Sequence, residues 1–188
     1  MEKSLAYALS HSEVLFERAQ IDAAIGRLAG SIAEDYAGER PLFLTVMNGG
    51  MPFASLLALE IGRQASSRGM ADLEFDYVHA TRYRGDTTGA GLHWLRRPEV
   101  PLSGRRVLLV DDILDEGHTL AAIREWCRAE GAVDVRIAAM TVKRHDRCVE
   151  GLVADYVAFE VPDRYVFGFG MDYHERGRHL PAIHALID

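Results

Sequence analysis

The sequence predicts an α/β protein with a mainly parallel, twisted sheet flanked by helices. Short apolar runs at 42–46 and 106–110 have the length and composition of buried strands. Segments with helical periodicity follow them, at 53–61 and 119–130. Because parallel strands need a crossover connection, usually a helix, this alternation is typical of βαβ units and of a sheet covered on both faces.

The remaining elements follow from the same patterns. The first helix is predicted over 21–36, where apolar residues recur on one face and Gly38 stands just past the end. The helix over 119–130 ends before Gly131, which is in the position of a C-terminal cap. Strands are predicted at 42–46, 73–79, 106–110, 135–142, 153–160 and 165–169.

The segment 81–98 has a different character. It is polar and rich in glycine, and it shows no helical period. Loops of this length inside a compact domain are usually functional lids or disordered segments. The chain contains no repeat, low-complexity tract or linker, so residues 1–188 are predicted to form one domain.

The composition is that of an ordinary soluble globular protein. The 28 acidic and 21 basic side chains give a net charge of −7, which argues against a nucleic-acid partner because binding phosphates needs clustered Lys and Arg. No apolar stretch is long enough for a membrane span, and the first residues lack a signal-peptide pattern. Only Cys127 and Cys148 occur, which excludes a disulfide framework. We therefore expect a cytoplasmic protein with reduced thiols.

The most specific segment follows the buried strand at 106–110. Asp111 and Asp112 come directly after the apolar run, and Asp115, Gly117 and Thr119 form a turn into the next helix. Amides at a helix N-terminus form an anion site, and glycine allows close approach of a phosphate. Carboxylates would repel a bare phosphate, so they fit a ligand that also carries hydroxyls or Mg²⁺. The alternative is that the acids only cap the helix.

Two acids, two apolar residues and Asp-x-Gly-x-Thr resemble the phosphoribosyl pyrophosphate signature of the type I phosphoribosyltransferases. The resemblance implies that Asp111 and Asp112 bind the ribose hydroxyls. It implies a 5-phosphate cradle made of Asp115, Glu116, Gly117, His118 and Thr119. It also implies this family's fold, with a core over about 37–160, a small hood from about 1–20 and 161–188, and a mobile lid over about 81–98.

The second half of the chain resembles the hypoxanthine-guanine phosphoribosyltransferases within that family. Lys143 follows an apolar strand, where the family places the lysine that hydrogen-bonds the purine 6-oxo group. The segment 161–173 matches the base-binding segment. The resemblance implies that Tyr165 stacks on the purine, that the backbone of Val166 reads it, and that Asp172 lies near the metal and the purine 2-position.

The same resemblance implies a pyrophosphate site. The loop at 46–50 is similar to the family's pyrophosphate loop, in which a non-proline cis peptide is common, here between Met47 and Asn48. The implied pyrophosphate contacts are Met47, Asn48, Gly49, Arg82, Tyr83 and Arg178, of which Arg82 and Tyr83 begin the lid.

The implied activity is Mg²⁺-dependent transfer of phosphoribosyl from phosphoribosyl pyrophosphate to a 6-oxopurine. Asp115 is the implied catalytic base, and Asp111, Asp112 and Asp172 are the implied metal ligands. The family also implies a homodimer or homotetramer. Two alternatives stay open at this point: a non-catalytic regulator that senses phosphoribosyl pyrophosphate or purines, and a phosphoribosyltransferase that prefers xanthine or another base.

Overall fold

The computed structural model describes residues 4–69, 72–82 and 92–187. The helices are α1 (Leu5–Ser10), α2 (Arg18–Asp35), α3 (Met51–Arg68) and α4 (His118–Ala129). The strands are β1 (Ser12–Phe16), β2 (Leu42–Met47), β3 (Glu74–Arg82), β4 (Leu92–Arg96), β5 (Arg106–Leu114), β6 (Asp134–Lys143), β7 (Tyr156–Val161), β8 (Val166–Phe167) and β9 (Ile183–Leu186). Among the described residues, no helix has both the length and the apolar character needed to cross a membrane.

The central sheet has the strand order β4-β3-β2-β5-β6-β7. Neighbours from β3 through β7 are parallel, and only the edge strand β4 runs antiparallel to its neighbour. From β2 the chain first builds outward to β3 and β4, then returns to β5 and builds the other way. The order therefore reverses between β2 and β5, and ligands of open α/β sheets bind beyond the carboxyl ends of the strands at such a point.

Both faces of the central sheet are buried around β5, which explains the continuous apolar run in this strand. Leu108 and Val110 pack with buried residues of α2 and α3 on one face. Val107 and Leu109 point to the other face and pack with residues of α4. Successive strand side chains alternate between faces, so a strand covered on both sides needs apolar residues at every position. The predicted fold class is confirmed.

A second, three-stranded sheet has the order β1-β9-β8 and combines strands from distant parts of the chain. Ser12 of β1 pairs with Leu186 of β9, and Val166 of β8 pairs with Ala185. We call α1, β1, β8 and β9 the hood. The predicted hood is thus present, whereas the residue limits given above for core and hood stay predictions.

Several sequence predictions need correction. Residues 92–96 form the strand β4, although the sequence predicts no regular structure in the segment 81–98. Strand β4 forms because it pairs with β3, and a local sequence pattern does not reveal such pairing. The helix expected at 53–61 runs over Met51–Arg68. The strand expected at 165–169 is only Val166–Phe167, because Gly168 has φ 93° and turns the chain. The middle of the predicted lid, 83–91, lies outside the described residues.

Candidate active site

A cavity of about 620 Å³ opens beyond the carboxyl ends of β2, β5 and β6. Loops of the central sheet form its floor, and residues of the hood side, including Tyr165 and Val166, form one wall. The cavity brings together all predicted site residues except two. Arg82 is the last residue of β3, and Tyr83 lies outside the described residues, so their lid contacts stay predictions.

The turn between β5 and α4 forms one end of the cavity. Gly117 has φ 81°, and a Cβ at this position would overlap the side chain of Leu152, so only glycine fits without strain. Helix α4 begins at His118, and Gly117, His118 and Thr119 line the cavity. Because first-turn amides have no acceptor within their own helix, this turn presents N–H groups where a phosphate can bind.

The paired acids lie at the end of β5. Asp112 is buried, and its amide donates a hydrogen bond to Oδ1 of Asp111 at 2.9 Å. The pKa of Asp111 is well above its usual range, first because burial penalises the ionised form and next because of the charge on Asp112. Burial also raises the pKa of Asp112. Ionising both carboxyl groups is therefore unfavourable in the free protein, and a cation or hydroxyl donors of a ligand would offset that cost.

The loop from β2 to α3 packs tightly against these acids. The peptide bond between Met47 and Asn48 is cis, as the resemblance implied. A Cβ on Gly49 would overlap the carboxylate of Asp112, and a Cβ on Gly170 would overlap the carbonyl oxygen of Gly49. Main chain from the central sheet and from the segment after β8 therefore meet here without room for side chains.

Asp115 is held by two residues at the end of β6. Lys143 Nζ donates to Asp115 Oδ2 at 2.6 Å, and His145 Nε2 lies 2.6 Å from Asp115 Oδ1. Partial burial acts to raise the pKa of Asp115, but the hydrogen bonds from Lys143 and His145 outweigh it and lower the pKa. Asp115 is therefore a fixed carboxylate in the free protein.

His145 is a site residue that our reading of the sequence missed. Its side chain is only 3% exposed. The available signal was its spacing: residues two apart in an extended chain project from the same side, so a histidine two positions after Lys143 can reach the same partner.

The side of the cavity formed after β7 carries a second ion pair. Arg178 Nη2 lies 2.6 Å from Asp172 Oδ1, and Arg178 Nη1 donates to the carbonyl oxygen of Gly170 at 2.8 Å. The amide of Glu175 donates to the other oxygen of Asp172 at 2.8 Å. Tyr165 packs edge-on against Tyr173 with ring centroids 5.3 Å apart and remains partly exposed to the cavity.

The acids suit Mg²⁺ in their chemistry, since Mg²⁺ prefers oxygen ligands. In the described part of the chain, no group of three or more His, Cys, Asp or Glu side chains is close enough to hold a metal alone. Mg²⁺ commonly uses one or two carboxylates together with water and substrate phosphates. A metal beside Asp111, Asp112 or Asp172 would therefore take its remaining ligands from a bound substrate and from water.

The family model for the phosphoribosyl transferase domain matches residues 12–176. The chain belongs to this family. It is 33% identical over 175 residues to the hypoxanthine-guanine phosphoribosyltransferase of Streptococcus pneumoniae strain R6, covering 93% of this chain and 92% of that one. The predicted family is confirmed.

Solved structures of this family agree with the fold. The hypoxanthine phosphoribosyltransferase of Staphylococcus aureus matches with a TM-score of 0.83 and 27% identity, over 93% of this chain and 91% of that one. A hypoxanthine-guanine-xanthine phosphoribosyltransferase matches with a TM-score of 0.80 and 25% identity, over 94% of this chain and 97% of that one.

Proposed function

We propose that this chain is a purine-salvage enzyme that transfers the 5-phosphoribosyl group from phosphoribosyl pyrophosphate to hypoxanthine or guanine. The products are the nucleoside monophosphates IMP or GMP and pyrophosphate. One observation carries the proposal: a single cavity contains a helix N-terminus suited to phosphate, a pair of acids, and the polar and aromatic side chains of a base site. The relatives named above support the same activity.

The sugar end of the substrate fits the turn at the end of β5. The amides of Gly117, His118 and Thr119 would hold the 5-phosphate, supported by the positive end of the α4 dipole. Asp115 and Glu116 complete this cradle. Asp111 and Asp112 would accept hydrogen bonds from the ribose hydroxyls.

The pyrophosphate end fits the loop of Met47, Asn48 and Gly49, together with Arg178. Asp111, Asp112 and Asp172 would hold Mg²⁺ with the substrate. Bound there, Mg²⁺ supplies positive charge to the departing pyrophosphate. Arg82 and Tyr83 are proposed to close over the site and exclude water.

The purine fits the wall opposite the sugar. Tyr165 would stack on the ring and the backbone of Val166 would hydrogen-bond its edge, with Asp172 near the 2-position. Lys143 would donate to the 6-oxo group. Adenine carries an amino group at position 6, which would place one hydrogen-bond donor against another, the ammonium group of Lys143. Because a buried donor without an acceptor is costly, adenine is rejected.

Asp115 is proposed as the catalytic base. As purine N9 bonds to the anomeric carbon and the bond to the pyrophosphate oxygen breaks, Asp115 accepts the proton from purine N7. A carboxylate with a lowered pKa is fully ionised at neutral pH but is a weak base. Moving Lys143 from Asp115 to the 6-oxo group removes one of the contacts that lower this pKa, so purine binding strengthens the base.

Copies of the chain are proposed to associate into a homodimer or homotetramer through an apolar surface beside α3. Met51, Phe75 and Tyr77 are 53%, 58% and 41% exposed and line a second cavity of about 440 Å³. Contiguous exposed apolar side chains of this kind mark association surfaces. Light scattering of wild-type protein and of Phe75→Lys tests this, with dissociation of the variant as the expected result.

The unpaired thiols of Cys127 and Cys148 fit the cytoplasmic location we propose.

Pyrophosphate release tests the activity. The protein is incubated with Mg²⁺, phosphoribosyl pyrophosphate and, separately, hypoxanthine, guanine, xanthine and adenine, with a chelator control. We expect turnover with hypoxanthine and guanine and none with adenine. Preferred turnover with xanthine would favour the alternative that xanthine is the substrate. One of the similar structures is a hypoxanthine-guanine-xanthine phosphoribosyltransferase, so xanthine is the alternative base to test. Binding without turnover of any purine would indicate a sensor.

A further inference from the structure

We propose that His145 is a positioning residue that holds one oxygen of Asp115 in place while the other accepts the purine proton. This inference rests on the proposed function. The ring of His145 is almost completely buried at the end of β6, and both of its nitrogens are engaged.

The hydrogen bonds define the tautomer of His145. The backbone amide of Arg147 donates to His145 Nδ1 at 3.1 Å, so Nδ1 carries a lone pair. The neutral ring then has its proton on Nε2, which lies 2.6 Å from Asp115 Oδ1. His145 therefore donates to Asp115, and the Arg147 amide fixes which nitrogen does so.

The two oxygens of Asp115 have different partners, and this division matters during turnover. Lys143 donates to Oδ2. When Lys143 turns to a purine 6-oxo group, Oδ2 becomes available to the proton on purine N7. A carboxylate without a second contact could then rotate about its side-chain bonds. Because His145 retains Oδ1, the plane of the carboxylate stays defined, and alignment of reacting groups is a large part of catalysis.

The segment that carries His145 is itself anchored on both sides. The guanidinium of Arg147 binds both oxygens of Asp163, at 2.9 and 2.8 Å. The amide of Val149 donates to the carbonyl oxygen of Glu116 at 2.9 Å, which ties the segment to the turn between β5 and α4. Since the segment contacts both this turn and the chain two residues before Tyr165, His145 is fixed relative to two sides of the cavity.

Two variants of similar volume separate positioning from packing. His145→Leu fills the space without a donor, whereas His145→Gln can place an amide donor near the position of Nε2. We expect His145→Leu to lower kcat about 10- to 100-fold, by analogy with the cost of misplacing a reacting group. KM for phosphoribosyl pyrophosphate should stay unchanged, and His145→Gln should retain most of the turnover. Equal losses in both variants would overturn the proposal.

A double-variant cycle tests whether His145 acts through Asp115. In an Asp115→Asn background, His145→Leu should cost little further turnover, because the residue it positions is already disabled. A further loss of the same factor as in the wild-type background would contradict the proposal. No turnover of the wild-type protein with any purine would contradict the proposed function instead, and the protonation state of His145, measured as follows, then decides the contact separately.

A spectroscopic measurement tests the contact without relying on activity. Long-range ¹H–¹⁵N correlation spectra of the wild-type protein report which nitrogen of each histidine carries the proton. We expect His145 to be protonated on Nε2 alone, and this resonance to shift in Asp115→Asn. A proton on Nδ1 alone, or no response to Asp115→Asn, would overturn the proposed contact.

Discussion

Lys143 Nζ lies 2.6 Å from Asp115 Oδ2, so the side chain proposed to read the purine is bound to the side chain proposed to deprotonate it. In the free protein each satisfies the charge of the other within a partly buried site. Under the proposed function, purine binding replaces one contact of Lys143 with another. The proposed exchange couples recognition of the purine to the basicity of the Asp115 carboxylate.

Asp115→Asn should lower kcat by about 10²-fold or more, because the amide cannot accept a proton. Binding of phosphoribosyl pyrophosphate should be retained, since Asn preserves the shape and can still accept from Lys143 or His145. Steady-state kinetics and calorimetric titration of the substrate measure the two effects. Unchanged kcat would remove Asp115 from the base role.

Lys143→Ala should raise KM for hypoxanthine and guanine and leave binding of phosphoribosyl pyrophosphate largely unchanged. A purine oxygen left without a donor in a buried site loses much of its recognition energy, so we expect a loss in kcat/KM of about 10²-fold. Arg144→Ala is the matched control, because Arg144 is the next residue but lies exposed against Glu160. Similar losses in both variants would argue against a specific role of Lys143.

Gly49→Ala should impair the site without unfolding the protein, because the added methyl group would overlap the Asp112 carboxylate. We expect kcat/KM to fall by about 10²-fold through displacement of the loop. Gly62→Ala is the control: Gly62 lies in α3, and a Cβ there meets nothing within 4 Å. That control should retain full activity and gain about 0.5–1 kcal/mol in the free energy of unfolding.

Asp76 gives a pH-dependent prediction away from the cavity. Its side chain is 6% exposed and accepts from Arg96 at 2.6 Å and from the amides of Glu99 and Val100. Burial acts to raise the pKa of Asp76, but these donors outweigh it and lower the pKa below its usual value of 3.8. Its stabilising effect is therefore complete above that value and is lost as the pH falls through the lower, folded-state pKa.

Asp76→Asn should accordingly cost about 1.5–3 kcal/mol in the free energy of unfolding at pH 7, as expected for hydrogen bonds to a charged group. The difference from wild type should shrink at a pH below 3.8. Urea unfolding at both pH values measures this. Asp72→Asn is the control, because its ion pair with Arg40 is exposed and should matter less. A difference independent of pH would show that the charge of Asp76 is not responsible.

Local patterns predict the core of the fold, and the family resemblance, rather than those patterns, names most of the residues that line the cavity. The apolar run of β5 indicates a strand that is buried on both faces. The functional groups of the turn after Leu114 lie on a few consecutive residues, so a local motif is enough to identify them. Individual strands that form by pairing of distant segments are not predicted by these patterns. Strand β4 exists because β3 pairs with it, and β1 and β9 exist because they pair with each other. A short strand of this kind has no strong local signal.

The sequence also does not predict which side chains of the site contact each other. The resemblance implied separate roles for Lys143 and Asp115, but it did not indicate that they contact each other in the free protein. The same limit explains why His145 was missed, since its importance depends on where the end of β6 lies relative to the turn after β5. Contacts between loops that follow different strands depend on the order of the strands in the sheet, and the spacing of residues in the sequence does not predict that order.

The pairing of Ser12 with Leu186 has a consequence for biosynthesis. Strand β1 leaves the ribosome early, yet its partner β9 emerges after every strand of the central sheet. Because β8 also pairs with β9, the cavity wall that contains Tyr165 and Val166 is completed only when translation of these residues is finished. A nascent chain can thus form the turn between β5 and α4 well before it completes the wall where we propose that the purine binds.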